Sequence, residues 1–186
     1  MLKTRKKLIT LAVAALAVAI GAGTASADTA NVTATVTGGS LAEATSATPS
    51  FSVTLDGTDQ TPTYTLPLTV TEARGTGTGW NLTITSTTFS TGGGTPKTLS
   101  TSASSISSVT SSCATGTCTN PTNGVTYPTA VPAGSTAPTA VKFFNAAANT
   151  GMGKFTITPT VGVAVPANTY AGSYSSTVTL AVASGP

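Results

Sequence analysis

Few residues in this chain could do chemistry. There are five acids (Asp28, Glu43, Asp56, Asp59 and Glu72) and no histidine. Without an imidazole, no Ser–His or Cys–His pair can generate an activated nucleophile. Hydrolysis by paired carboxylates would have to use two of the five acids, and none sits in a motif. No phosphate-cradling Gly-rich loop leads into a helix. The sequence therefore assigns no catalytic residue and no cofactor, and a non-enzymatic role is expected. Asp56 and Asp59 in DGTDQ offer too few oxygens for calcium, and a turn at Gly57 explains Asp56 on its own. Cys113 and Cys118 cannot complete a tetrahedral zinc shell by themselves, so no metal site is expected. No basic neighbour or helix N-terminus marks the pair as redox-active. A local disulfide pinning the tip of a hairpin is the expected state.

Arg74 is the only Arg after residue 27, and it lies in a loop rich in glycine, with Gly75, Gly77 and Gly79. Its guanidinium could fork onto carboxylates of an external ligand. It could equally tie down Glu72, Asp56 or backbone carbonyls. Trp80 is the only Trp. It could stack on sugars from an exposed face, or fill a core as large aromatics do. It shares a period-two face with Leu82 and Ile84, which favours the core.

The elements that must hold these residues begin with an address. Lys3, Arg5, Lys6 and Lys7 precede an apolar run from Leu8 to Ile20, followed by Ala25-Ser26-Ala27. This pattern predicts a secretory signal over residues 1–27 with cleavage before Asp28. The run is about 13 residues, short of the ~20 a membrane span needs. Removing it leaves four basic residues against five acids, a net charge of −1 where the full chain has +3. No basic cluster remains for nucleic acid. No membrane span, lipid-modified cysteine or sortase tail is expected in the exported chain, since Leu66-Pro67-Leu68-Thr69-Val70 lacks the final Gly and lies mid-chain.

Residues 28–186 suit a single domain. More than a third of them are Thr or Ser, and Thr alternates with Val, Leu, Ile and Phe, as in strands. Strands are predicted over 30–37, 51–55, 63–71, 80–88, 154–165 and 174–183. Weaker ones are expected within 99–110, 125–127 and 139–144. Pro67 points to an edge strand or a bulge. The fold class expected is all-β, an antiparallel sandwich or barrel-like sandwich of roughly eight to ten strands. Asn31 and Asn81 open N-x-T triplets that read as chance matches.

The stretch VTEARGTGTGW, followed by Asn81-Leu82, resembles the first signature of the WxL domain family of Gram-positive surface proteins. AANTGMGKF (147–155) and VPANTYAGSYSSTVTLAVASGP (165–186) resemble its C-terminal half. The family carries a second W-x-L in its last strand, and that slot is Leu180-Ala181-Val182 here. The resemblance implies a secreted or wall-associated protein bound non-covalently to peptidoglycan or another cell-wall polymer, with Arg74, Trp80, Asn81 and Leu82 as motif candidates. The rival expectation is a subunit of a surface fibre or coat, assembled through exposed strand edges.

Overall fold

The computed structural model describes residues 29–186, so the expected signal segment and its cleavage site lie outside the described residues. The chain divides into two units, residues 1–35 and 36–186. Of the first unit, residues 29–35 are described, and they are irregular and exposed. The second unit holds ten strands.

The strands are β1 (Leu41–Ala44), β2 (Thr63–Thr65), β3 (Leu68–Glu72), β4 (Trp80–Thr87), β5 (Ser104–Thr119), β6 (Thr129–Ala130), β7 (Ala133–Gly134), β8 (Val141–Ala146), β9 (Met152–Val163) and β10 (Val178–Ser184). One sheet runs β1-β3-β9-β5-β6, with β2 also on β9. The other has β4 at its centre, paired with β10, β7 and β8. All pairings are antiparallel except β4 with β7. The class is an all-β sandwich with ten strands, and the sheets do not close into a barrel.

Period-two alternation builds the core between the sheets. Leu68 and Val70 of β3, Ile106 of β5, and Phe155, Ile157 and Val161 of β9 face Trp80, Leu82 and Ile84 of β4. Phe143 and Phe144 of β8 are both buried although they are consecutive. A bulge explains this: Leu82 pairs with Phe144 and Thr83 with Lys142, so Phe143 is the extra residue. A second cluster, around Leu99, Ala103, Val163 and Val165, takes up Phe51, Val53, Leu55, Tyr64, Phe89 and Tyr174.

Two prolines meet in the larger sheet. Pro159 is fully buried inside β9, yet it has no N–H for the ladder. On that side its partner strand is interrupted between β2 and β3, and the Leu66 N–H donates to the Pro159 carbonyl at 3.1 Å. Pro67 thus marks a break between β3 and the edge strand β2, past the end of β1, and the unchanged register on β9 shows no bulge.

Other expectations are corrected. Residues 30–37 form no strand, and Val32 and Val36 are 91% and 94% exposed. Alternation decides which face an element would bury, but a strand also needs a ladder partner. Residues 51–55 bury alternate side chains as a strand would, yet no ladder pairs them. Residues 125–127 are irregular, and the weak strand expected within 99–110 is the sixteen-residue β5.

Cys113 and Cys118 form a disulfide. It sits at no hairpin tip. Thr115 pairs with Lys154 and Thr119 with Met152, so Gly116, Thr117 and Cys118 stand opposite the single Gly153. The bond closes this bulge within a paired strand. A five-residue separation gives a loop-closure stabilisation of about 2 kcal/mol. Replacing both cysteines with serine is expected to lower unfolding free energy in urea by about that amount, with an unchanged far-ultraviolet spectrum; an unaltered midpoint would show that the bulge is held by other contacts.

Candidate functional site

The sequence motif of greatest interest spans the crossover from β3 to β4, and its geometry starts with a carboxylate in an unfavourable place. Leu68, Val70 and Glu72 alternate on the inward face of β3, and all three are buried. Glu72 ends that stripe, so its carboxylate faces the interior, where an unpaired charge is costly.

Arg74 supplies the partner from two residues on. Its Nε donates to Glu72 Oε1 at 3.0 Å and Oε2 at 2.9 Å, and its Nη2 donates to Oε2. The Arg74 backbone N–H donates to Oε1 at 2.9 Å. Nη2 also reaches the Gly79 carbonyl at 2.8 Å, and Nη1 reaches Ser184 Oγ at 2.5 Å. The guanidinium therefore joins β3, the crossover loop and the end of β10. Hydrogen bonding to Glu72 raises the Arg74 pKa above its ordinary value, which keeps the charge in place at any working pH.

The glycines let the loop close onto its neighbours. Gly79 has φ +72°, and a Cβ there would lie 2.4 Å from the Ala146 carbonyl oxygen. Only glycine combines that backbone with that approach. Beyond it, Trp80 enters the core fully buried. Its Nε1–H donates to the Gly151 carbonyl at 2.9 Å, and its ring lies 5.8 Å from that of Phe144. A Cβ at Gly151 (φ +67°) would come within 2.8 Å of Trp80 Nε1. Leu82 is fully buried two residues on. Asn81 points the other way, and its Nδ2 donates to the Gly185 carbonyl at 2.8 Å.

The structure thus brings Arg74, Trp80, Asn81 and Leu82 together at one end of the sandwich. Outside them runs a short row of hydroxyls that sequence reasoning missed. Thr76 and Thr78 are exposed, with their Oγ1 atoms 3.2 Å apart, and Thr78 Oγ1 lies 3.5 Å from Ser184 Oγ. The alternation of Thr with Gly in RGTGTGW is the signal that could have found it. The slot of the second triplet lies on β10. Leu180 pairs with Ile84 and Val182 with Leu82, and both pack half-buried against the core.

The remaining candidates lie elsewhere. Asp56 Oδ1 accepts hydrogen bonds from the Thr58 backbone at 2.9 Å and the Thr58 hydroxyl at 2.7 Å, which lower its pKa. Asp59 Oδ1 accepts from the Ala167 N–H at 2.8 Å. The two carboxylates serve separate loop contacts. Among the described residues no group of three acids, cysteines or histidines could hold a metal, and no helix is long and apolar enough to cross a membrane.

The ion pair makes a quantitative prediction. Arg74→Ala leaves the Glu72 carboxylate buried alone and is expected to cost about 3 kcal/mol. Removing both charges, as Glu72→Ala with Arg74→Ala, is expected to cost less than the single Arg74 change. Arg74→Lys keeps a charge without the fork and falls between. Urea unfolding of the set measures the coupling; an Arg74→Ala protein within about 0.5 kcal/mol of the native one would contradict this role.

No curated protein and no solved structure matches the chain. A family model does, that of the WxL domain surface cell wall-binding proteins, over residues 18–186. That span includes the whole sandwich and both ends of the crossover, and it places the protein at the cell wall or outside the cell. The chain belongs to the WxL domain surface cell wall-binding family.

Proposed function

We propose that this protein is a non-enzymatic surface protein that holds to the cell wall non-covalently, through peptidoglycan. The observation that carries the reading is the match to a cell wall-binding family over nearly the whole chain. Export through residues 1–27, with cleavage before Asp28, fits it. So does the surface at the Arg74 end. Thr76, Thr78 and Ser184 present hydroxyls beside a guanidinium with one N–H left over from its five. Such a rim suits the hydroxyls and amides of a glycan or its peptide stems. Arg74, Trp80 and Leu82 act from beneath, by shaping the loop, and Asn81 holds the C-terminal segment against it.

The test is sedimentation of the purified exported protein with isolated cell walls, followed by a high-salt wash. The protein is expected in the pellet after washing. A Thr76→Ala, Thr78→Ala double variant is expected to bind about tenfold more weakly, through the loss of one or two hydrogen bonds, at unchanged thermal stability. Full recovery of the native protein in the supernatant would refute wall binding. Equal binding by the variant would move the contact surface elsewhere.

A further inference from the structure

Two features of the molecule remain unexplained by wall binding, and each has what the other lacks. The first is a half-open cavity of about 1080 Å³. It is lined by Phe51, Tyr64, Leu66, Phe89, Val178 and Leu180, among others. One wall is β10, which pairs only with β4 and so presents a free edge. Another wall is the segment 51–55, which half-buries alternate side chains and has no ladder partner among the described residues. Apart from the Thr54 carbonyl, which accepts from Gln60 Nε2 at 2.7 Å, both walls therefore carry backbone groups outside any ladder that a strand between them could satisfy.

The second feature is the arm, residues 30–37. Ala30, Val32, Ala34 and Val36 alternate with Asn31, Thr33, Thr35 and Thr37. In extended form this gives one wholly apolar face and one wholly polar face. Yet the whole arm is exposed. Its side chains are small, as insertion between existing walls requires.

The geometry points to the arm of one copy completing the cavity of a second copy by strand addition. The tether of the arm argues for a second copy over the same chain. The Gly39 N–H donates to the Ala73 carbonyl at 2.8 Å, and Gly38 lies against the Arg74 carbonyl. The arm is thus fastened at the Arg74 end of β1, whereas the cavity wall starts at Thr45, past the other end of β1. A tight turn back along β1 would need positive φ at one or both glycines. Neither Gly38 nor Gly39 has it. A donor at one end and an acceptor at the other make a head-to-tail contact, which leaves a free donor and a free acceptor at the two ends and extends into longer chains unless its rotation closes a ring. This inference is independent of wall binding.

Sedimentation velocity on the exported protein, over a wide concentration range, tests it together with a peptide of residues 29–37. The native protein is expected to form dimers and longer chains as concentration rises. Val32→Asp with Val36→Asp is expected to weaken association by about a hundredfold or more, with no change in thermal stability, because both side chains are exposed in the single chain. The peptide is expected to bind the double variant, whose acceptor is intact, and the same peptide carrying both aspartates is not. Native protein that stays monomeric throughout overturns the proposal, even where the peptide binds, since the arm would then serve its own chain. Association that survives the double substitution also overturns it, as does failure of the peptide to bind.

Discussion

A buried carboxylate sets the terms at one end of this fold. Glu72 falls on the inward stripe of β3 because the strand's alternation puts it there. Water cannot solvate it, so a cation must come from the chain itself. Arg74 is two residues away, and the chain bends there as it leaves β3, so that its backbone N–H and its guanidinium both reach back to Glu72. The turn is what carries it from one sheet to the other. One guanidinium thereby fixes the end of β3, the Gly79 carbonyl and Ser184 of β10 at once.

The rest of the motif follows from that closure. Gly79 must pass within contact of β8, and Trp80 must drop into the core immediately afterwards. Its indole nitrogen would be a buried orphan without the Gly151 carbonyl, and Gly151 must be glycine to bring that carbonyl so near. The residues that look most chemical in the sequence, an arginine and a lone tryptophan, are engaged inward. What they leave outside is a rim of threonine and serine hydroxyls held at fixed spacing. On the wall-binding reading proposed above, a polymer with matching hydroxyls and amides would meet a rim that needs no prior ordering.

Much of the sandwich was legible in the sequence because alternation reports burial directly. The Trp80, Leu82 and Ile84 face, the long β9 and the last strand all carry that signature. The misses share one cause, which is that pairing is not written in a single segment. Residues 30–37 alternate as cleanly as β4 but have no ladder partner among the described residues. The poorly patterned, serine-rich β5 is a sixteen-residue strand because β9 lies beside it along its length. The two consecutive phenylalanines of β8 break alternation through a bulge that only the register reveals. At the site, the choice between Arg74 facing a ligand and Arg74 facing Glu72 needed the inward direction of Glu72. The hydroxyl row needed the loop's closed shape.

On the proposed reading the signature tryptophan shapes the wall-binding end from within and does not touch the wall. Because Trp80 is the only Trp, its fluorescence reports on that claim without a label. Acrylamide quenching of the exported protein, alone and with saturating soluble peptidoglycan fragments, is the direct measurement. The account predicts a blue-shifted, quencher-protected emission that is the same in both states. An indole that quenches readily in the free protein and becomes protected as fragments bind would contradict it.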